Sequence, residues 1–519
     1  MIKKLSNNRY FILYFLPFLI GSLTIFSFSP YNLIYVNLII FPIFFYLIIY
    51  VTKKSKSIYR KSPHKKNLFL LGLFFGFGFY FSNISWITHS LTFDENFKIL
   101  IPFAKIVIPL FLSLFTAFTV LLIGERLKLN FSSLILFSAS LAITDFLRAK
   151  LFTGFPWNLW AYSTYWLNEV FQILNFVGLH SYNLFVITVF TLPIIIFFKI
   201  KKIKKFVSLI MGTIFVLSLY IFGDYKINRN IKDLNLVNEN FLVKIISPNF
   251  ELKYGLTEKE IEDRFRKLIR YSDPDSKITT LFIWPEGVFA GYSYDEISKF
   301  KKLIKNNFSK KHFIIVGANK LEPNSNQFYN SMYLLDNNFE VIQSYDKKKL
   351  VPFGEFLPFE SFLNKLGFKK ITEGHGSFLR GVKSDNLFIE KLNILPLICY
   401  EVIFTELVQK SNPSTNLIVN ISEDGWFGNT IGPDQHFSKS IFRAVESNTF
   451  FLRSANKGVS AIIDNKGNIV KQLGRNETGS IEFIVPLIKS NKNKNDLIFF
   501  FLLITYLLFF FINKEKNAK

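Results

Sequence analysis

Three side chains with complementary chemistry each stand just past a predicted β-strand in the second half of the chain. Glu286 follows Leu-Phe-Ile-Trp-Pro, Lys347 follows Val-Ile-Gln-Ser-Tyr-Asp, and Cys399 directly follows Ile-Leu-Pro-Leu-Ile. In α/β sheets, binding and catalytic groups gather beyond the carboxyl ends of the strands. We therefore expect a carboxylate, an ammonium and a thiol to meet in one crevice, a set suited to nucleophilic catalysis by an activated thiol. A fourth run of this kind is ended or followed by Asn420, Glu423 and Asp424.

Each of these residues, taken alone, also has a purely structural interpretation. Cys399 is the only cysteine among 519 residues, so it forms no intrachain disulfide, and a lone cysteine is most often a small buried hydrophobe. Lys347 begins a run of three lysines that would suit a solvated surface, and Glu286 could cap a helix. Because Tyr400 and Glu401 follow the cysteine at once, a deep apolar setting is less favoured, and the three residues together favour a reactive site.

The elements that position these residues are short apolar runs of strand length. Amphipathic helical patterns lie between some of them: one follows a capping box at Thr257 and extends to about Tyr271, and two more cover Tyr294–Phe308 and His436–Phe451. This alternation predicts an α/β domain over residues 224–495. The predicted strands are Phe241–Ile246, Thr279–Ile283, His312–Val316, Ser331–Leu335, Val341–Tyr345, Ile394–Ile398, Leu417–Ile421 and Ser460–Ile463.

Longer apolar runs flank this domain, and several approach the roughly 20 residues that cross a bilayer. They exclude a single soluble domain, a disordered chain and a coiled coil. We predict a membrane domain over residues 1–223 with seven spans and, over 496–519, an eighth span with a basic tail. The eight runs are Tyr10–Ser27, Leu33–Val51, Leu68–Ile87, Ile101–Ile123, Phe131–Ile143, Tyr182–Phe198, Phe206–Phe222 and Leu497–Ile512.

Basic residues concentrate in alternate connections between these runs. By the rule that basic loops stay cytoplasmic, both termini are expected inside and the 224–495 domain outside. Much of the formal net charge of +24 therefore lies in connections that set the membrane orientation, and a nucleic-acid partner is not expected. The basic residues of the inner side include Lys3, Lys4, Arg9, Lys53, Lys54, Lys56, Arg60, Lys61, Lys65, Lys66, Arg126, Lys128, Lys199, Lys201, Lys202, Lys204, Lys205, Lys514, Lys516 and Lys519.

One outward connection, residues 150–181, is rich in Trp, Tyr and Phe. Aromatic side chains favour the membrane interface. The Gly-Phe-Pro-Trp turn from Gly154 to Trp157 suggests an interfacial or re-entrant loop, and a simple aromatic belt is the alternative.

The outward domain resembles the nitrilase (carbon–nitrogen hydrolase) superfamily. Glu286 within Trp-Pro-Glu, Lys347 within Tyr-Asp-Lys-Lys-Lys-Leu, and Cys399 within Leu-Ile-Cys-Tyr-Glu match that superfamily's Glu–Lys–Cys triad in chain order. The resemblance implies an αββα sandwich.

Further motifs narrow the resemblance to the apolipoprotein N-acyltransferase family, the membrane-embedded branch of that superfamily. Its layout also places a domain of this kind between the last two of eight spans. The matching segments are Leu151–Trp157, Leu350–Glu355, Asn420–Gly428, Gly432–His436, Arg443–Glu446 and Arg453–Asn456.

This resemblance implies an enzyme of the bacterial inner membrane with a periplasmic catalytic domain and no cofactor or metal. Glu286 would be the general base, Cys399 the nucleophile and Lys347 the stabiliser of the oxyanion. A phospholipid would donate an acyl chain to Cys399, and the α-amine of a diacylglyceryl apolipoprotein would accept it. Supporting roles are expected for Glu355, Tyr400 and Glu401, and substrate contacts for Tyr254, Trp157 and Trp426.

The chain departs from the family pattern at four places. Ser247 stands where a Gln is usual, Tyr254 where a Trp is usual, and Asp145 where a Glu is expected. Glu423–Asp424–Gly425 replaces the common Asn-Asp-Ala before Trp-Phe-Gly. The alternative functions are a membrane-tethered nitrilase-type amidase acting on a small molecule, and a transporter or scaffold with a degenerate domain; the latter would place charges inside the spans, which are nearly free of them.

Overall fold

The computed structural model describes residues 8–55, 63–325, 327–363, 365, 377–383, 386–409, 412–490 and 495–516. The chain divides into two units, one of Met1–Tyr225 with Asn493–Lys519 and one of Lys226–Lys492. Among the basic residues that enter the predicted topology, Lys3, Lys4, Lys56, Arg60, Lys61 and Lys519 lie outside the described residues.

Seven helices among the residues just given are long and apolar enough to cross a membrane; six lie in the first unit, and Lys202–Asn235 extends from it into the second. The first predicted span, Tyr10–Ser27, forms the apolar helical segment Phe11–Ser27, which is shorter than the other seven. The membrane-spanning character is therefore confirmed, and the count of eight stays a prediction. The seven helices are Ile34–Ser55, His64–Phe93, Glu95–Arg126, Phe131–Lys150, Leu179–Phe197, Lys202–Asn235 and Asp496–Asn513.

The aromatic connection after Lys150 folds inside the membrane unit. Trp157, Trp160 and Tyr162 are buried, and Trp157 is 1% exposed. The segment is held by Arg148, whose guanidinium donates to the carbonyl of Phe155 and, at 2.9 Å, to Asp145 Oδ1. These aromatic side chains therefore fill the interior of this unit, although Trp166 in the same connection is exposed.

Asp145, where a Glu was expected, is part of this buried arrangement. Its second oxygen accepts from Asn183 Nδ2 at 2.9 Å, and Asn183 Oδ1 accepts from the backbone N–H of Ala161 at 2.9 Å. A buried charge is tolerated when it is paired and hydrogen-bonded. The shorter carboxylate thus links two membrane helices to the aromatic connection.

The second unit contains two six-stranded sheets. The first has the order β12-β1-β2-β3-β4-β5, with β1, β2 and β3 parallel, and the second has the order β11-β10-β9-β8-β7-β6, with β7, β8 and β9 parallel. The strands are β1 Asn240–Ser247, β2 Thr280–Ile283, β3 His312–Leu321, β4 Phe328–Leu335, β5 Val341–Asp346, β6 Leu387–Ile389, β7 Leu392–Ile398, β8 Leu417–Glu423, β9 Phe451–Asn456, β10 Ser460–Ile463, β11 Ile469–Leu473 and β12 Gly479–Pro486.

Alternation along the strands builds two apolar layers. Val243 and Ile245 of β1 join a core shared with residues of β7 and β8, whereas Ile246 and Phe282 join a second core with the helix Glu258–Ser272. Successive side chains of a strand point to opposite faces, so one sheet supplies both layers. On the second sheet, the helix Gly432–Ser447 packs against β9 and β10. The unit is therefore an αββα sandwich, as predicted.

All eight predicted strands form, and four strands were not predicted: β6, β9, β11 and β12. The predicted helix His436–Phe451 is wrong at its end, because the helix stops at Ser447 and Phe451 begins β9. Asn448 adopts the left-handed conformation (φ 54°) and its N–H caps the helix. Asn tolerates this conformation better than most residues, which is why it ends helices.

Candidate active site

Cys399 stands at the junction between β7 and a short 3-10 helix, Cys399–Ile403. Its backbone is in the left-handed region (φ 48°), which costs a residue with a Cβ about 1–3 kcal/mol. The residue is 8% exposed. A strained backbone conformation persists only where surrounding contacts hold it, so the contacts around Cys399 must hold this turn in place.

Lys347, Asn330 and two glutamates form a group in which hydrogen-bond donors lie between carboxylate acceptors. Lys347 Nζ lies 2.8 Å from Glu355 Oε1 and 3.8 Å from Glu286 Oε1, and the lysine is 1% exposed. Asn330, on β4, donates from Nδ2 to both carboxylates at 2.8 Å. One ammonium and one amide thus lie between two buried carboxylates, so that neither carboxylate is without a donor.

Glu401 joins the segment that carries Cys399 to the segment that carries Lys347. Its Oε2 accepts from the backbone N–H of Ile398 at 2.9 Å, and its Oε1 accepts from the N–H groups of Lys348 and Lys349 at 2.8 and 3.1 Å. The hydroxyl of Tyr345 donates to the same carboxylate at 2.9 Å. Residues next to Cys399 and next to Lys347 are therefore held by one carboxylate.

A second buried group holds the carbonyl of Cys399. His436 Nε2 lies 3.2 Å from that oxygen and donates to it, since a carbonyl only accepts. Burial, reinforced by Arg453, lowers the pKa of His436 to about 4, so the ring is neutral at pH 7. Arg453 also pairs with Asp424 at 2.7 Å. Because this imidazole faces the backbone oxygen, it positions the turn and is not placed as the base.

Burial and the neighbouring charges shift the pKa values of Cys399, Glu286 and Lys347 in opposing directions. Burial raises the pKa of Cys399, Glu286 raises it further, and Lys347 acts against both. Burial raises the pKa of Glu286, and the ammonium of Lys347 acts to lower it. Burial acts to lower the pKa of Lys347, but Glu355 and Glu286 more than compensate, so its pKa is raised. At rest the group is thus a neutral thiol beside an ammonium, and the thiol needs a base in order to react.

A cavity of about 80 Å³ opens over Glu286, Glu355 and Glu423. Tyr254 and Trp426, two of the predicted substrate-contact residues, line it. Tyr400 directly follows Cys399, with its ring edge-on to Phe404. The third predicted contact residue, Trp157, belongs to the membrane unit.

Sequence reasoning did not find Asn330, nor the roles of His436 and Arg453. Asn330 lies in a strand of ordinary composition and carries no motif, so no sequence signal marks it. His436 and Arg453 were noticed only as parts of family motifs. Across the described ranges, no group of three or more His, Cys, Asp or Glu side chains is arranged to hold a metal ion.

Two family models match the chain. Residues 20–192 match the apolipoprotein N-acyltransferase N-terminal domain, and residues 260–489 match the carbon–nitrogen hydrolase model. The first lies in the membrane unit, and the second contains Glu286, Lys347 and Cys399.

Full-length relatives are similar over both units. The chain is 30% identical over 486 residues to an apolipoprotein N-acyltransferase of Rhodopseudomonas palustris, covering 90% of this chain and 88% of that protein. It is 30% identical over 458 residues to one of Rickettsia prowazekii, covering 87% of this chain and 90% of that protein.

Among solved structures, the chain is similar to Nit3 of Saccharomyces cerevisiae, a member of branch 10 of the nitrilase superfamily. The identity is 16%, the TM-score is 0.36, and the similarity covers 48% of this chain and 91% of that one.

Proposed function

This chain belongs to the apolipoprotein N-acyltransferase family, and from that premise we propose that it transfers a fatty acyl chain from a membrane phospholipid to the α-amine of a diacylglyceryl lipoprotein. The observation that carries the proposal is the buried group of Glu286, Lys347 and Cys399 in a chain whose similarity to named N-acyltransferases extends over 90% of its length.

The first half of the reaction forms a thioester. Glu286 takes the proton of Cys399 as the sulfur attacks the phospholipid ester, and the lysophospholipid alkoxide receives that proton as it leaves. Lys347 stabilises the oxyanion of the tetrahedral intermediate, because its ammonium is fixed by Glu355 and needs no reorganisation. The raised pKa of Cys399 supports a mechanism in which proton removal and attack are coupled.

The second half forms the amide. The α-amine of the lipoprotein's N-terminal cysteine attacks the thioester carbon, the carbon–sulfur bond breaks, and Cys399 regains a proton through Glu286. The scheme is a ping-pong exchange with a covalent intermediate. The product is a triacylated lipoprotein.

Membrane attachment gives this scheme a physical reason. Moving an acyl chain into water costs about 0.8 kcal/mol per methylene, and both substrates carry such chains. An enzyme that spans the bacterial inner membrane, with its catalytic unit on the periplasmic side, leaves the chains in lipid while the reacting ester and amine enter the site. A site that excludes water also favours transfer over hydrolysis.

The remaining predicted residues have supporting roles. Glu355 fixes Lys347, and Glu401 holds the turn that presents Cys399. Tyr400 packs near the acyl group. Contacts with substrate are assigned to Tyr254 and Trp426, which line the cavity. A contact by Trp157 is not proposed, because this side chain is buried inside the membrane unit.

The alternative, a small-molecule amidase, would need the same triad but not several membrane spans. The match of residues 20–192 to the N-acyltransferase N-terminal model supports the acyltransferase.

The experiment that tests the proposal is mass spectrometry of the purified protein after incubation with phospholipid. We expect an added acyl mass on Cys399, removed by a peptide that carries a diacylglyceryl cysteine with a free amine. Cys399→Ala should show no acyl mass, and Glu286→Gln and Lys347→Met should each lose acylation by about 10²-fold or more.

A matched control is Glu340→Gln, an exposed carboxylate in the same unit, which should acylate as the unmodified enzyme does. Turnover by Cys399→Ala would exclude the covalent scheme. Acylation that is cleared by water as fast as by the peptide would favour a hydrolase.

A further inference from the structure

The second half of the proposed reaction releases a proton that the triad does not keep. An α-amine has an ordinary pKa near 7.7–8.0, so much of the acceptor is an ammonium at neutral pH. Its nitrogen loses two protons on the way to the amide, one before it attacks the thioester and one afterwards. Cys399 takes back only one of them through Glu286, so the other proton goes to water or to a second base near the site.

In this chain Glu423, which stands where Asn is common in the family, is placed to be such a base. It is the last residue of β8, is 2% exposed, and lines the same cavity as Glu286. Its backbone N–H donates to Glu286 Oε2 at 3.0 Å. The two carboxylates are thus neighbours, yet no part of the triad mechanism uses the side chain of Glu423.

The hydrogen bonds of Glu423 favour a carboxylate that is ready to accept a proton. Oε1 accepts from the N–H of Gly425 at 2.8 Å, and Oε2 accepts from Asn456 Nδ2 at 2.7 Å. The amide of Asn456 is oriented by Phe250, whose N–H donates to Asn456 Oδ1 at 2.8 Å. Donors therefore face both oxygens of Glu423, and each oxygen retains a further lone pair. Burial outweighs these donors and raises the pKa of Glu423 well above its usual range, so this carboxyl group binds a proton more tightly than an exposed one does.

Gly287 leaves the space that this side chain occupies. A Cβ at position 287 would stand 2.4 Å from Glu423 Oε2, and the backbone there has φ 76°, which favours glycine. The residue after the general base and the carboxylate at 423 therefore fit each other.

We propose, on the basis of the proposed function, that Glu423 is a further catalytic residue which takes the proton that the acceptor's ammonium must lose before it attacks the acyl-Cys399 thioester. The N–H bond breaks and an O–H bond forms on Glu423. The neutral nitrogen then bonds to the thioester carbon, the carbon–sulfur bond breaks, and the second nitrogen proton passes through Glu286 to the sulfur. Glu423 afterwards gives its proton to water, which completes the balance.

The test separates the two halves of the reaction and compares two nucleophiles. The full-length enzyme is loaded with a phospholipid, the acyl-enzyme is isolated, and its discharge is timed at pH 7 with a diacylglyceryl peptide and, separately, with hydroxylamine, which is already neutral. In Glu423→Gln, we expect loading and hydroxylamine discharge within about twofold of the unmodified enzyme. Discharge by the peptide should slow by roughly tenfold or more, a modest share of what a general base contributes.

The exposed carboxylate variant Glu340→Gln should change none of these rates. Glu423→Asn, a shorter amide, should likewise slow discharge by the peptide and not by hydroxylamine. It replaces Glu423→Gln in the test if that variant does not fold. Peptide discharge at the normal rate, or equal slowing with both nucleophiles, would overturn the role of Glu423. If the unmodified enzyme never acquires an acyl group on Cys399, the proposed function fails instead.

Discussion

At the scale of single residues, the site depends on one buried ammonium between two carboxylates. Lys347 is close to both Glu355 and Glu286, and each raises its pKa. Lysine therefore stays charged although it is buried, and its charge acts in turn on Cys399. The same charges that hold the group together set how reactive the thiol is.

Removing Glu286 is expected to make Cys399 more reactive as a thiol while ending its chemistry. After burial, Glu286 is the largest cause of the raised pKa of Cys399, so Glu286→Gln should lower that pKa and increase the thiolate fraction at a given pH. Alkylation by iodoacetamide at pH 8 should then be faster by roughly two- to tenfold, since one pKa unit is a tenfold change in the thiolate. The rate of alkylation is measured by mass spectrometry, beside the loss of phospholipid acylation.

Lys347→Met should have the opposite effect to Glu286→Gln, because Lys347 lowers the pKa of Cys399. It should slow alkylation at the same pH. If both variants change the alkylation rate in the same direction, local unfolding and not charge controls the thiol.

At the scale of elements, the ends of β5 and β7 are held together by Glu401. A carboxylate that accepts from three backbone N–H groups and one hydroxyl satisfies four donors at once, two of them buried and two partly buried. Buried donors left without an acceptor are costly, so the register of these two segments depends on this residue. The strained turn at Cys399 begins directly after Ile398, whose N–H donates a hydrogen bond to Glu401.

Replacing Glu401 should therefore destabilise the protein more than replacing one of its donors. We expect Glu401→Leu to lower the free energy of unfolding by about 3 kcal/mol or more, because it leaves several donors unsatisfied. Tyr345→Phe removes a single donor and should cost about 1 kcal/mol. Both are measured by thermal or denaturant unfolding of the full-length protein in detergent.

Glu340→Leu, at an exposed position, should stay within about 0.5 kcal/mol of the unmodified protein. Equal destabilisation by Glu401→Leu and Tyr345→Phe would show that the backbone hydrogen bonds to Glu401 contribute little.

At the scale of the whole molecule, charge and apolar length together fix the expected orientation. By the positive-inside rule, the basic connections between the apolar runs are expected on one side of the membrane and the carbon–nitrogen hydrolase region on the other.

Because Cys399 is the only cysteine, Cys399→Ala gives a chain in which new cysteines report topology. Two exposed lysines suit this purpose, Lys202 at the start of the helix Lys202–Asn235 and Lys299 in the catalytic unit. A membrane-impermeant maleimide added to spheroplasts should label Lys299→Cys at once and Lys202→Cys only after permeabilisation.

The cysteine-free parent is the control for background labelling. Labelling of Lys202→Cys but not of Lys299→Cys before permeabilisation would invert the orientation.

Sequence alone determined the parts of this protein that are local in the chain. Apolar length predicts the membrane helices, and strand-length apolar runs predict eight of the twelve strands within the described residues. Residues directly after strands predict the triad, whose catalytic role stays a prediction. These signals succeed because each needs only neighbouring residues. The four missed strands include β11 and β12, whose side chains are partly exposed and mixed in polarity, so that no clear alternation marks them.

The tertiary structure alone decided which polar residues complete the site. Asn330 reaches Glu286 across 44 positions of the chain, and Tyr345 reaches Glu401 across 56. The place of Glu423 beside Glu286 likewise depends on β2 and β8, which belong to different sheets. Hydrogen bonds of this kind depend on how strands from distant parts of the chain are brought together, and no local pattern of residue types encodes that distance.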